Sequence, residues 1–137
     1  MTATDSMTTI RVVPGNPRDR QATALLQASH ALMRSLFASD ENHFLSIDEL
    51  CAPEIRFFVA REGDKTLGCA ALANKGSYGE VKSMFVAESA RGTGAGQALL
   101  AHIEQVARDA DLPCLRLETG DTLHAAHRLY ERAGFEY

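Results

Sequence analysis

Residues Arg91 to Leu100, RGTGAGQALL, set glycines at 92, 94 and 96 behind an arginine and ahead of an apolar run. Alternate glycines leave several backbone N–H groups unshielded by side chains. A helix starting within the run adds unpaired N–H donors and the positive end of its dipole. Such a loop is suited to an anion, and its flanks decide which anion and which fold.

Working outward, Glu80 to Val86 (EVKSMFV) reads as a strand leading into the loop, with side chains alternating so that Glu80, Lys82, Met84 and Val86 share one face. After the loop, Leu99, Leu100, Ile103, Val106, Ala107 and Ala110 form an apolar stripe, which predicts a helix over 94–110. Leu115 to Thr119 is predicted as a strand, and Leu123 to Ala133 as a helix stopped by Gly134. Phe135 to Tyr137 is in place to begin a last strand. Upstream, Thr9 to Val13 reads as a first strand closed by Pro14, Gly15 and Pro17. A helix from about Arg18 to Phe37 follows, carrying Leu25, Ala28, Leu32 and Leu36 at helical spacing. Ser39 to Pro53 (SDENHFLSIDELCAP) reads as a partly ordered loop or short helix. Ile55 to Arg61 and Thr66 to Ala73 are strand-like runs around a tight turn at Gly63-Asp64.

The 137 residues are 45% hydrophobic and 23% charged, which is enough apolar material for one domain with its own core. Residues 1–8 are expected to be disordered and 9–137 to form that domain. A net charge of −4 argues against nucleic acid or an anionic membrane as partner, both of which favour a basic surface. Cys51, Cys69 and Cys114 are scattered singly, so no zinc or disulfide framework is signalled and a reducing, cytoplasmic setting is expected. Cys69 and Cys114 sit in apolar strand contexts and read as buried thiols. No apolar run approaches the ~20 residues of a membrane span.

Three anion-binding designs compete for the loop. A Walker loop needs Lys and then Ser or Thr after its last glycine, and Gly96 is followed by Gln97 and Ala98. A dinucleotide fingerprint would put Gln97 at its final glycine, and the preceding chain runs strand, hairpin, strand rather than through parallel crossovers. The third design, Arg-x-x-Gly-x-Gly between a strand and a helix, fits Arg91, Gly94 and Gly96. With EVKSMFV before it, LRLETG at 115–120 and AHRLYERAGF at 126–135 in that order, the chain resembles the GNAT superfamily of acetyl-CoA-dependent N-acetyltransferases over about residues 9–135.

The resemblance implies a mixed α/β fold, with a mostly antiparallel sheet of about six to seven strands splayed at the cofactor site and flanked by helices. It implies acetyl-CoA as co-substrate, its diphosphate on Arg91, Gly92, Thr93, Gly94, Ala95, Gly96 and Gln97, and its pantetheine arm along Met84, Phe85 and Val86. It also implies Tyr130 as the general acid, within Leu-Tyr-Glu-x-x-Gly-Phe, and a homodimer by family habit. Relatives commonly carry Asn or Gln where this chain has Leu123, so His124 or His127 is left to make that contact. The two histidines lack a third ligand at metal-site spacing, and no metal is expected.

Acyl transfer to an amine poses two proton problems. An amine of pKa ~10.4 must lose a proton at a cost near 4.6 kcal/mol at neutral pH. Glu80, at the head of the strand entering the cofactor loop, is the candidate base. A leaving thiolate of parent pKa ~8.5 needs stabilising, and Tyr130 is the candidate donor, although full proton transfer from an unperturbed phenol is uphill by roughly 2 kcal/mol. His30, Glu41, Asn42 and His43 are the candidate acceptor contacts. Asp40, Glu41, Asp48 and Glu49 would give that neighbourhood an acidic field favouring a cationic amine. The acceptor is expected to be a small-molecule amine or a peptide amine. A non-catalytic acyl-CoA-binding sensor is the alternative from another class, and a dinucleotide oxidoreductase a third.

Overall fold

The computed structural model describes residues 9–36, 44–117 and 124–136. Five strands, β1 (Arg11–Pro14), β2 (Ile55–Glu62), β3 (Lys65–Asn74), β4 (Gly79–Val86) and β5 (Leu115–Leu117), pair in chain order. The first three pairings are antiparallel and β4–β5 is parallel. The helices are α1 (Arg20–Leu36), the single turn α2 (Ile47–Leu50), α3 (Ala95–Asp109) and α4 (His124–Arg132). The mixed α/β architecture is as expected, but the described sheet has five strands rather than six to seven. Residues 135 and 136 lie outside any strand, because the Phe135 N–H is already bonded back to the Tyr130 carbonyl.

Both faces of the sheet are covered. On one, Phe58, Ala60, Ala70, Leu72 and Val81 pack with Leu99, Leu100, Ile103 and Val106 of α3. On the other, Phe57, Val59, Cys69 and Ala71 pack with Ala22, Leu25 and Leu26 of α1 and Leu50 of α2. Central β3 is therefore buried from Thr66 to Ala73 and reads as a near-continuous apolar run. Its small residues, Gly68, Cys69, Ala70, Ala71 and Ala73, let helices approach from both sides. The β2–β3 hairpin turns at Gly63-Asp64 with Gly63 at φ 60°, the left-handed first position of a type II′ loop.

Parallel strands cannot be joined by a tight turn, so β4 reaches β5 through a crossover that includes α3. The crossover sets the N-terminus of α3 just beyond the C-terminal end of β4, where ligands of α/β sheets bind. Within the expected loop or short helix of Ser39 to Pro53, Ser46 caps α2 by accepting from the Glu49 N–H at 3.1 Å. Glu49 in turn accepts from the Ser46 N–H at 2.9 Å, completing a capping box.

Candidate active site

Strand β4 is irregular where it matters. Cys69 pairs with Phe85 and Ala71 with Lys82, so two steps on β3 oppose three on β4, a bulge at Ser83 and Met84. Ser83 sits at φ 54°, a left-handed conformation unusual for a residue with a Cβ. Its carbonyl accepts from the Cys69 thiol at 3.4 Å, while its own hydroxyl is buried without a partner. The bulge shifts the alternation. Val81, Met84 and Val86 contact the core under α3, whereas Phe85 joins the core under α1. Glu80 and Lys82, paired with Ala73 and Ala71, therefore lie on the α1 face, and the expected common face of Glu80, Lys82, Met84 and Val86 does not exist. The extra residue reverses the period of two halfway along the strand.

Glu80 and Lys82 form an ion pair, Nζ to Oε2 3.3 Å, with side chains 17% and 18% exposed. Two charges so far withdrawn from water on a sheet face stand out beside Cys69, Ala71 and Phe57.

The glycine loop opens directly from β4. The Ala87 N–H donates to the Leu67 carbonyl at 2.8 Å, and a 3-10 turn at Glu88–Ala90 follows. Thr93 is held by its hydroxyl, which donates to the Ala90 carbonyl at 2.6 Å. Gly94 is the N-cap of α3 at φ 91° and supplies no side-chain cap, so the first-turn N–H groups of Ala95, Gly96 and Gln97 are left to a ligand or water. A Cβ on Gly92 or Gly94 would meet nothing within 4 Å, so the space over the loop is open. Arg91, exposed, stands at its entrance.

Gly96 has a different task. A Cβ there would lie 2.9 Å from Cδ2 of Leu129 and 3.4 Å from Cε of Met84. The missing side chain is what lets α4 close on the start of α3 and on β4. Next to Leu129, Tyr130 packs against the α3-side core, and burial pushes its phenol up to about 12. Its helix ends in a Schellman motif: Gly134, φ 98°, donates to the Glu131 carbonyl at 3.0 Å, and Phe135 donates to the Tyr130 carbonyl at 3.0 Å.

On the acceptor side, His30 is buried on α1, its ring stacked on Phe44 with centroids 4.2 Å apart. Burial, with the nearby Arg34 charge, lowers its pKa. Arg34 covers the Phe44 ring at 5.5 Å. Phe44 thus pins the chain ahead of α2 onto α1. Glu41, Asn42 and His43 lie outside the described residues, as does Asp40. Of the acidic residues expected near the acceptor, Asp48 is paired with Arg18 at 2.6 Å, while the Glu49 carboxylate accepts from the Ser46 N–H, which lowers its pKa and keeps it charged. Cys69 is buried and its thiol is pushed up to about 12, unsuited to nucleophilic attack. Cys114, expected to be buried, is exposed, because it precedes β5 and only its carbonyl, accepting from Gly79, is tied to the sheet. Among the described residues no cluster of three His, Cys, Asp or Glu is placed to hold a metal ion, and no helix is long and apolar enough to cross a membrane.

The model of the acetyltransferase (GNAT) family matches residues 22–135, a span that holds the bulged strand, the glycine loop and the helix beyond it. The chain belongs to the GNAT family. It is 37% identical over 131 residues to the IAA acetyltransferase of Azospirillum brasilense, covering 94% of this chain and 86% of that protein. It is 35% identical over 121 residues to the uncharacterized N-acetyltransferase YsnE of Bacillus subtilis, covering 86% and 80%. Among solved structures, one described as an acyl-CoA N-acyltransferase from Klebsiella pneumoniae superposes with a TM-score of 0.75 at 30% identity, over 94% of this chain and 84% of that one. GNAT membership makes the protein an acyltransferase. It also gives Gly92, Gly94 and Tyr130 a common context, since the loop and the tyrosine's helix meet at Gly96 and Leu129.

Of the residues singled out in the sequence, the fold joins the loop, β4 and the Leu129-Tyr130 turn in one region. The Ser83 bulge and the Gly96–Leu129 contact had no signal in the sequence. Both depend on how strands and helices meet across the sheet.

Proposed function

We propose that this GNAT protein moves an acetyl group from acetyl-CoA to a primary amine by direct attack in a ternary complex. The observation that carries the reading is the open, glycine-lined start of α3. Free N–H donors and a dipole end converge there without bulk above them, a fitting seat for a diphosphate on a protein of net charge −4. Arg91 adds a charge-assisted contact at the loop entrance. The Met84–Val86 backbone lines the path of the pantetheine arm toward the bulge.

Glu80 takes the proton from the incoming amine, directly or through water. The amine nitrogen bonds to the acyl carbon, the carbon–sulfur bond breaks, and the electron pair leaves on sulfur. Tyr130 meets that sulfur as a hydrogen-bond donor. With its phenol near 12, complete proton transfer to a thiolate of pKa ~8.5 would be uphill by about 5 kcal/mol, so stabilisation rather than outright protonation is its part. His30 serves the acceptor side by holding Phe44, and Glu41, Asn42 and His43 are proposed to reach the acceptor. A small-molecule or peptide amine, a cytoplasmic setting and a homodimer complete the reading.

The test is a free-thiol assay with acetyl-CoA against a broad panel of amines, on wild type and Tyr130→Phe. Amine-dependent thiol release that falls by ~10²-fold in kcat in the variant, with CoA affinity retained, supports the proposal. CoA binding with no amine-dependent release would instead favour a non-catalytic acyl-CoA sensor.

A further inference from the structure

We propose that Cys69 is a positioning residue for the acyl donor: its thiol latches the bulge of β4 and so fixes the stretch proposed to carry acetyl-CoA. The inference rests on the reading above that the donor's arm follows Met84–Val86. Neither Ser83 nor Met84 has a register partner on β3, and the Ser83 carbonyl, inside that gap, accepts from the Cys69 thiol at 3.4 Å. Cys69 is fully buried and keeps its proton at neutral pH, so it remains a donor. Its neighbour Gly68 lets β4 come in close, since a Cβ there would lie 2.9 Å from the Phe85 carbonyl oxygen.

The bulge is not a conformation that Ser83 favours by itself. At φ 54° its Cβ crowds the backbone, and an extended Ser83 would relieve that strain. Beyond it, a regular β4 would then slip by one residue and exchange the faces of Met84, Phe85 and Val86. A strained position persists only where its surroundings outweigh the strain. The Cys69–Ser83 bond belongs to the bulged form and tips the balance toward it. On the other side of β4 no ladder helps, because among the described residues its pairing with β5 ends at Val81 and Leu117. The start of α3 depends on the outcome: a Cβ on Gly96 would lie 3.4 Å from Cε of Met84 and 3.6 Å from Cγ2 of Val86. A slip would withdraw both side chains from beneath the glycine loop and shift the backbone groups along the donor's path.

The experiment compares Cys69→Ala with Cys69→Ser, which differ from one another by the donor hydroxyl alone. The thiol-release assay gives kcat/KM for acetyl-CoA per folded molecule, and NMR gives the three-bond HN–Hα coupling of residue 83, which reports its φ. Cys69→Ala is expected to lose about 10- to 100-fold in kcat/KM for acetyl-CoA, the scale of a misplacement near 1 Å, with the amine KM within about twofold of wild type. Its coupling at residue 83 should move to the larger value of an extended strand. Cys69→Ser should recover most of the activity and the wild-type coupling. A Cys69→Ala variant within about twofold of wild type in kcat/KM, an unmoved coupling, or a serine variant as impaired as the alanine one overturns the proposal. If wild type releases no thiol with any amine, the catalytic reading fails, and the latch is judged on the same coupling and on the Kd for acetyl-CoA, which should rise in Cys69→Ala alone; absence of acetyl-CoA binding overturns both. If Cys69→Ala does not fold, wild type decides. With the exposed Cys51 and Cys114 alkylated, the remaining S–H stretching band should shift when acetyl-CoA binds, and an unmoved band overturns the proposal.

Discussion

The Phe135 N–H donates to the carbonyl of Tyr130 at 3.0 Å, and the two rings meet edge to face with centroids 6.1 Å apart. One residue thereby fixes both the backbone and the ring of the proposed thiolate donor. The Gly-Phe of the terminal signature is a helix stop whose hydrophobic contact falls on that tyrosine. Gly134→Ala should cost about 1–2 kcal/mol, the penalty of a left-handed residue with a Cβ. A fall in kcat beyond what the unfolded fraction explains is also expected. Thermal unfolding and steady-state kinetics on the same samples check it, and unchanged kcat per folded molecule would remove Phe135 from the positioning of Tyr130.

Gly94 and Gly96 should fail in different ways when given a methyl group. Gly94→Ala meets no atom but must hold φ 91°, so it should lower CoA affinity together with stability. Gly96→Ala drives a Cβ toward Leu129 and should destabilise by about 1–3 kcal/mol, as overpacking does. Leu129→Ala should recover part of that loss. A double-mutant cycle on unfolding free energies reads the coupling, and strict additivity would mean the contact carries no strain.

Ser83 holds a left-handed bulge position with a buried, unpartnered hydroxyl. Ser83→Gly removes both burdens, and a gain on the order of 1 kcal/mol is expected. Denaturant unfolding measures it. A loss of stability would show that the hydroxyl or the Cβ contributes packing that outweighs the strain.

Alkaline pH should weaken the fold before it affects anything else in the core. Burial raises Tyr130 from 10.0 to about 12 and Cys69 from 9.0 to about 12, so the unfolded chain releases both protons first. Their contribution is intact below pH 9 and is lost as pH climbs toward 12, by about 3 kcal/mol for the phenol and about 4 for the thiol. Melting temperature followed across that range should drop steeply, and Tyr130→Phe should flatten the part above pH 10. A pH-independent melting point would show that neither group is buried in solution. For His30 the sign is opposite: its lowered pKa makes stability fall as pH drops through about 6.5.

Much of this was legible in the chain. The stripe from Leu99 to Ala107 required a helix with one buried face, and the β2–β3 hairpin followed from Gly63-Asp64 between two apolar runs. The glycines of 92–96 after a strand announced an anion seat, because backbone conformation and close approach are properties of residue type. The order of EVKSMFV, the loop and LYERAGF placed the chain in its family. Less legible was anything created by two elements meeting. The bulge at Ser83 exists because β3 and β4 pair out of step, and it moves Glu80 and Lys82 to the face opposite Met84 and Val86. Gly96 reads in the sequence as a third phosphate glycine, and the fold adds a second demand on it, because a Cβ there would meet Leu129. Asp48 looks like part of an acidic field until Arg18 folds across to neutralise it. Sequence alone determined most of the elements and singled out the loop proposed to seat the donor, since local preferences and spacing suffice for those. Which side chains face one another was decided by strand register and helix packing, which join residues far apart in the chain.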